Sequence, residues 1–85
     1  MSNEAERHQQ AAAAIQRLSP RELAVMRAVV SGGSNKSIGR ALEISPRTVE
    51  IHRANLKLKL GAACTADLVR IAIYAGIDAD ETDVA

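Results

Sequence analysis

At 85 residues and 9.0 kDa, the chain has room for one small domain, and folding at this size removes only about 60% of the unfolded chain's surface from water. Its 47% hydrophobic and 25% charged residues are a globular composition, but one Tyr with no Trp and no Phe means the core must be aliphatic. A single cysteine excludes an internal disulfide, two histidines make no zinc cluster, and no apolar run approaches the roughly 20 residues of a membrane span, so a cytoplasmic protein without metal or cofactor is expected.

Residues 1–18 are polar and Ala-rich, with only Ile15 and Leu18 as large apolar groups, and read as a linker or frayed helix. The folded part, 19–77, begins at Ser19. Ser19 with Glu22 forms a capping box and Pro20 suits a first helical position, predicting a helix over 20–30 that buries Leu23, Met26, Val29 and Val30. Ser31-Gly32-Gly33 ends it, and Ser34 caps a short helix over 35–42 that buries Ile38, Ala41 and Leu42. Ser45 and Pro46 open a third helix, ended at Leu60 by Gly61, and Thr65 caps a fourth over 66–76. Without period-2 alternation or a hairpin signal, the fold class is all-α with three or four short helices. Residues 78–85 carry Asp78, Asp80, Glu81 and Asp83 and read as an acidic disordered tail. Cys64 is a small loop or core residue, since no neighbouring base would activate it.

The segment 46–60 raises the functional question. At 100° per residue, Val49, Leu56 and Leu60 share the buried side, leaving Arg47, Glu50, Ile51, Ala54, Asn55 and Leu58 outside. That outer face is flat and partly apolar with charged edges, unlike an ordinary solvated helix. Between Ser34 and Leu60 the basic Lys36, Arg40, Arg47, Arg53, Lys57 and Lys59 face only Glu43 and Glu50, a charge balance suited to a polyanion. A fifteen-residue helix spans about 22 Å and fits a major groove about 12 Å wide. Helix 35–42, the turn 43–45 and helix 46–60 have the spacing of a helix-turn-helix.

The run LSPRE (18–22), SNKSI (34–38), ISPRTVEIHRANL (44–56) and KLG (59–61), taken in order, resembles the DNA-binding effector domain of LuxR and FixJ type bacterial transcription regulators, nearest the FixJ subgroup of two-component response regulators. The resemblance covers 18–77 and implies a four-helix helix-turn-helix domain that binds double-stranded DNA for transcriptional regulation. It implies phosphate contacts from Asn35, Lys36 and Ser37, and base or backbone contacts from Arg47, Thr48, Glu50, Ile51, Ala54 and Lys57. It also implies a weak homodimer on DNA through the last helix, an N-terminal receiver domain where the chain is part of a longer regulator, and RNA polymerase as a further partner. Residues 1–18 then read as the end of an interdomain linker.

Residue chemistry assigns Ile51 and Ala54 to apolar base contacts, Glu50 to a cytosine N4 or to a pair with Lys57, and Lys36, Arg47 and Lys57 to phosphates. Arg53 is assigned either to a phosphate or to an ion pair with Glu22, His52 to packing, and Lys59 to solvent. Two departures from the family pattern concern stability: Glu43 stands where a turn glycine is frequent, and Gly39 stands where Ala is more frequent, which would loosen the short helix. In the last helix, Leu68, Ala72 and Ala75 are expected core, with Ile71 and Ile73 at its borders, one of them the pairing surface. A protein-interaction module is the competing function; an enzyme is not expected, for lack of a nucleophile, base and orienting group in a credible arrangement.

Overall fold

The structure, a computed structural model, describes residues 3–77; the predicted acidic tail, 78–85, lies outside the described residues. Five helices follow in order: α1 (Glu4–Gln16), α2 (Pro20–Val30), α3 (Asn35–Leu42), α4 (Pro46–Leu60) and α5 (Thr65–Ala75). The fold is all-α, as the sequence predicts. The four predicted helices correspond to α2 to α5.

Local chemistry sets most boundaries. Ser19 Oγ accepts from Glu22 N at 3.1 Å while Ser19 N donates to Glu22 Oε1 at 2.8 Å, closing the capping box. Ser34 Oγ accepts from Ser37 N and Ser45 Oγ from Thr48 N, each at 3.1 Å. Gly61 at φ 66° lets Ala62 N return to Lys57 O at 2.8 Å, the αL stop that ends α4. The start of α5 differs from expectation. Cys64, exposed, is the N-cap residue and makes no side-chain cap bond; Asp67 Oδ2 accepts from Ala63 N at 2.9 Å, and Thr65, already inside the helix, accepts from Arg53 through its hydroxyl at 2.9 Å.

The core is aliphatic, with Val25, Met26, Ile38, Val49, Leu56, Leu68 and Ala72 fully buried. Around α2, Val25 and Ala28 are buried while Leu23 and Val30 sit at the margin; α2 packs on α3, α4 and α5, so its buried arc is wider than one predicted stripe. Ala41, expected inside, is exposed, and the buried positions on α3 are Ile38 and Gly39. Leu60 and Ala75 are half-buried at the edge of the core.

Residues 4–16 form a packed helix where a linker or frayed helix was expected. Ala11 and Ile15, one turn apart, are buried, and α1 packs mainly on α5. Arg7 Nη1 donates to the Tyr74 hydroxyl at 3.4 Å, and the His8 ring lies 5.4 Å from that of Tyr74. Small alanines let the helices approach closely while adding almost nothing to a hydrophobic pattern that is legible only through large residues.

Among the described residues one charged side chain is buried. Glu22, 7% exposed, receives Lys59 Nζ at 2.7 Å, so the N-terminus of α2 is clamped to the C-terminal turn of α4. Lys59 is therefore a structural partner rather than a solvated residue, and Arg53 is not the partner of Glu22. The Lys59 ammonium, then the Ser19 N–H, hold the Glu22 carboxyl below its ordinary range, against the opposing effect of burial.

The turn between α3 and α4 contains Glu43 at φ 59°, ψ 42°, the left-handed conformation that costs a non-glycine residue about 1–2 kcal/mol. Ile44 N donates to Gly39 O at 2.9 Å. A Cβ at residue 39 would lie 2.6 Å from Ile44 O and 3.3 Å from Pro46 N, so Gly39 allows a tight junction instead of loosening the helix. Gly39→Ala should lower the unfolding free energy by about 1–3 kcal/mol through overpacking, measured by urea denaturation; an unchanged midpoint would show that the turn yields freely.

The ion pair sets a pH dependence. Because the folded-state pKa of Glu22 is depressed below an unfolded value of about 4.3, its stabilisation is complete above that value and is lost as pH falls through the folded one. Urea midpoints should therefore fall on acidification through this range, and Glu22→Gln should reduce the fall; equal acid sensitivity of parent and variant would remove Glu22 as its source.

Candidate nucleic-acid interface

Two capped helix starts and one exposed helix face make up the site. Asn35, Lys36 and Ser37 form the first turn of α3, where unpaired backbone N–H groups give a partial positive charge. Lys36 is exposed. Ser37 Oγ donates to Ser34 O at 3.1 Å, and Thr48 Oγ1 lies 2.9 Å from Ser45 Oγ, so both hydroxyls are tied into caps. On α4, Arg47, Glu50, Ile51, Ala54, Asn55 and Leu58 are all exposed, as the helical wheel predicts; Ile51 is 48% exposed and Leu58 81%.

A shallow cleft of about 250 Å³ between α3 and α4 is lined by Asn35, Arg47, Glu50, Arg53, Ala54 and Lys57. These residues come from positions 35 and 47–57 and meet because the tight Gly39–Ile44 junction folds α4 back across the start of α3. Three cations face one carboxylate there. Of the other predicted contacts, Lys36, Ser37, Thr48 and Ile51 do not line the cleft but lie on the same two helices.

Three details refine the predicted pairings. Glu50 pairs with Arg47 at 3.4 Å rather than with Lys57, and both side chains are largely exposed, so the pair is weak and easily exchanged for another partner. Arg53 is half-buried and donates through Nη2 to Thr65 Oγ1 at 2.9 Å. The Oδ1 atom of Asn35, at the cleft wall, is buried without a hydrogen-bond partner among the described residues.

The borders of α5 are unequal. Ile71 is half-buried and faces a groove of about 480 Å³ shared with Ala11 and Ala14 of α1, whereas Ile73 is 68% exposed. The residue that sequence reading missed is Thr65. Its place in the sequence predicts a cap, and no spacing rule links a threonine to an arginine twelve positions earlier across a turn. Among the described residues no cluster of three or more His, Cys, Asp or Glu could hold a metal ion, and no helix is long and apolar enough to cross a membrane.

Residues 16–72 match the family described as bacterial regulatory proteins, luxR family. The chain is 48% identical over 69 residues to the transcriptional regulatory protein FixJ of Bradyrhizobium diazoefficiens, covering 81% of this chain and 34% of that protein. It is 53% identical over 64 residues to FixJ of Rhizobium meliloti, covering 75% and 31%. Among solved structures it is similar to full-length FixJ from B. japonicum, with a TM-score of 0.77 and 47% identity over 87% of this chain and 36% of that one. The chain thus spans about a third of the length of these relatives.

Proposed function

The chain belongs to the luxR family of bacterial regulatory proteins, and we propose that it binds double-stranded DNA in a sequence-dependent manner as the effector part of a transcriptional response regulator, with α4 in the major groove. The observation that carries this reading is the cleft in which Asn35 of α3 meets Arg47, Arg53 and Lys57 of α4, next to a flat strip of Ile51 and Ala54. Cations and a helix N-terminus suit phosphates, and small or branched apolar side chains suit thymine methyls. The names of the relatives, transcriptional regulatory proteins, support a role in transcription.

Roles follow from position. Lys36, Arg47, Arg53 and Lys57 neutralise phosphates and set the register. Asn35 and Ser37 contact the backbone at the start of α3, and Thr48 does so at the start of α4. Ile51 and Ala54 read bases by apolar contact, and Glu50, released from its exposed pair with Arg47, accepts from a cytosine N4 amino group. The additional length of the relatives leaves room for the receiver domain that would control this part.

Binding to duplex DNA should weaken steeply with salt, because Lys and Arg displace condensed counterions. Lys36→Ala should weaken all sequences alike and make the salt slope shallower by about one unit, whereas Ile51→Ala should change preference among sites, costing about 1–3 kcal/mol on the preferred one. Identical profiles for the two variants across a panel of duplexes would overturn the division into positioning and reading residues.

Pairing on DNA is proposed to use the Ile73 border of α5, since the Ile71 border is turned toward α1. Ile73→Asp should keep the melting temperature and abolish cooperative binding to paired half-sites, while Ile71→Asp should destabilise the domain by at least about 1 kcal/mol. Undiminished cooperativity in a folded Ile73→Asp chain would exclude this surface.

A further inference from the structure

The DNA-binding reading leaves one contact unexplained: why the half-buried arginine of the cleft is bonded to the first residue of a different helix. Arg53 donates from Nη2 to Thr65 Oγ1 at 2.9 Å, and Arg53 forms no ion pair among the described residues. The neighbouring Arg47 is held quite differently, by the carboxylate of Glu50 at 3.4 Å. A carboxylate orients a guanidinium and cancels its charge. A neutral hydroxyl orients it and leaves the charge intact, with the remaining N–H donors of the planar fork available to a phosphate.

Thr65 is free for this task because it caps nothing. Cys64 occupies the N-cap position and Asp67 satisfies the Ala63 N–H. Thr65 is also the first residue of α5. The bond joins α5 to the wall of the α3–α4 cleft, of which Arg53 is part.

We infer that Thr65 is a positioning residue for DNA binding: its hydroxyl holds the Arg53 guanidinium in the cleft in the orientation that meets a phosphate. The inference rests on the proposed DNA-binding function. Holding a long side chain in its bound rotamer removes part of the ordering cost of binding, so the expected effect of losing the hydroxyl is about threefold to tenfold in affinity.

The test uses the whole chain and a mixed-sequence duplex, since the phosphate contact does not depend on base sequence. Thr65→Val and Thr65→Ala should each weaken binding by about threefold to tenfold, and Thr65→Ser, which keeps the hydroxyl, should restore it to within about twofold of the parent. Arg53→Met should weaken binding further and make the salt slope shallower by about one unit. Adding Thr65→Val to Arg53→Met should then change neither affinity nor slope. The inference is overturned if the threonine variants bind like the parent, if Thr65→Val costs as much without Arg53 as with it, or if the loss tracks only a lowered melting temperature. A parent chain that binds no duplex would overturn the DNA-binding reading and this inference together, whereas a parent with steep salt dependence and insensitive threonine variants would overturn this inference alone.

Discussion

The close approach of the α3 backbone to the following turn sets the geometry on which the candidate site depends. With no side chain at residue 39, Ile44 O can lie 2.6 Å from where a Cβ would be, and the chain reverses within three residues, Glu43 to Ser45. The first turn of α3 and the outer face of α4 then form one surface. Glu43 in the left-handed region is the strain that accompanies this reversal. A looser junction would separate Asn35 from Arg53 and Lys57, and the cleft they line would open. Lys59 acts at the other end of α4, where its bond to the capping carboxylate of α2 ties the two helices together, so the two ends of α4 are held by unrelated means.

A core without Phe or Trp has little area in any one side chain, and this fold compensates by enclosing α2 on several sides and by adding α1 over α5. The apolar arc of α5 is wider than the rest of so small a domain can cover. Helix α1 takes one border through Ala11, Ala14 and Ile71 and leaves Ile73 in solvent. That asymmetry turns two formally similar isoleucines into different residues, one contributing to stability and the other available at the surface.

Where boundaries rest on backbone chemistry, the sequence was legible: Ser19, Ser34 and Ser45 cap the helices they were expected to cap, and Gly61 ends α4 in the αL conformation. The exposed face of α4 was legible too, because a fifteen-residue helix with a fixed buried side leaves no freedom for the rest. Contacts that depend on where another element lies were not. Lys59 looked like any surface lysine until α2 placed Glu22 beside it, and Thr65 looked like a cap until Arg53 took its hydroxyl. The packing surface of α1 is mostly alanine, which leaves no hydrophobic pattern in the sequence, and a family preference for Ala at residue 39 carries no information on how closely this particular turn approaches.

The unfavourable features of the described structure gather around one place. Glu43 carries a cost of about 1–2 kcal/mol in the turn, and the buried Oδ1 of Asn35 has no hydrogen-bond donor among the described residues. Both belong to the α3–turn–α4 unit, while the Glu22 clamp, the apolar core and the α1–α5 seam are satisfied. Against a total stability of about 5–15 kcal/mol for an ordinary domain, the cost of the turn residue is not negligible. Local strain of this kind persists where the surrounding structure over-determines it, and it concentrates at binding surfaces. The α3–turn–α4 unit is where these features meet, away from the larger and more apolar α1–α5 groove, and their position supports the proposal that the cleft is the surface that meets a partner.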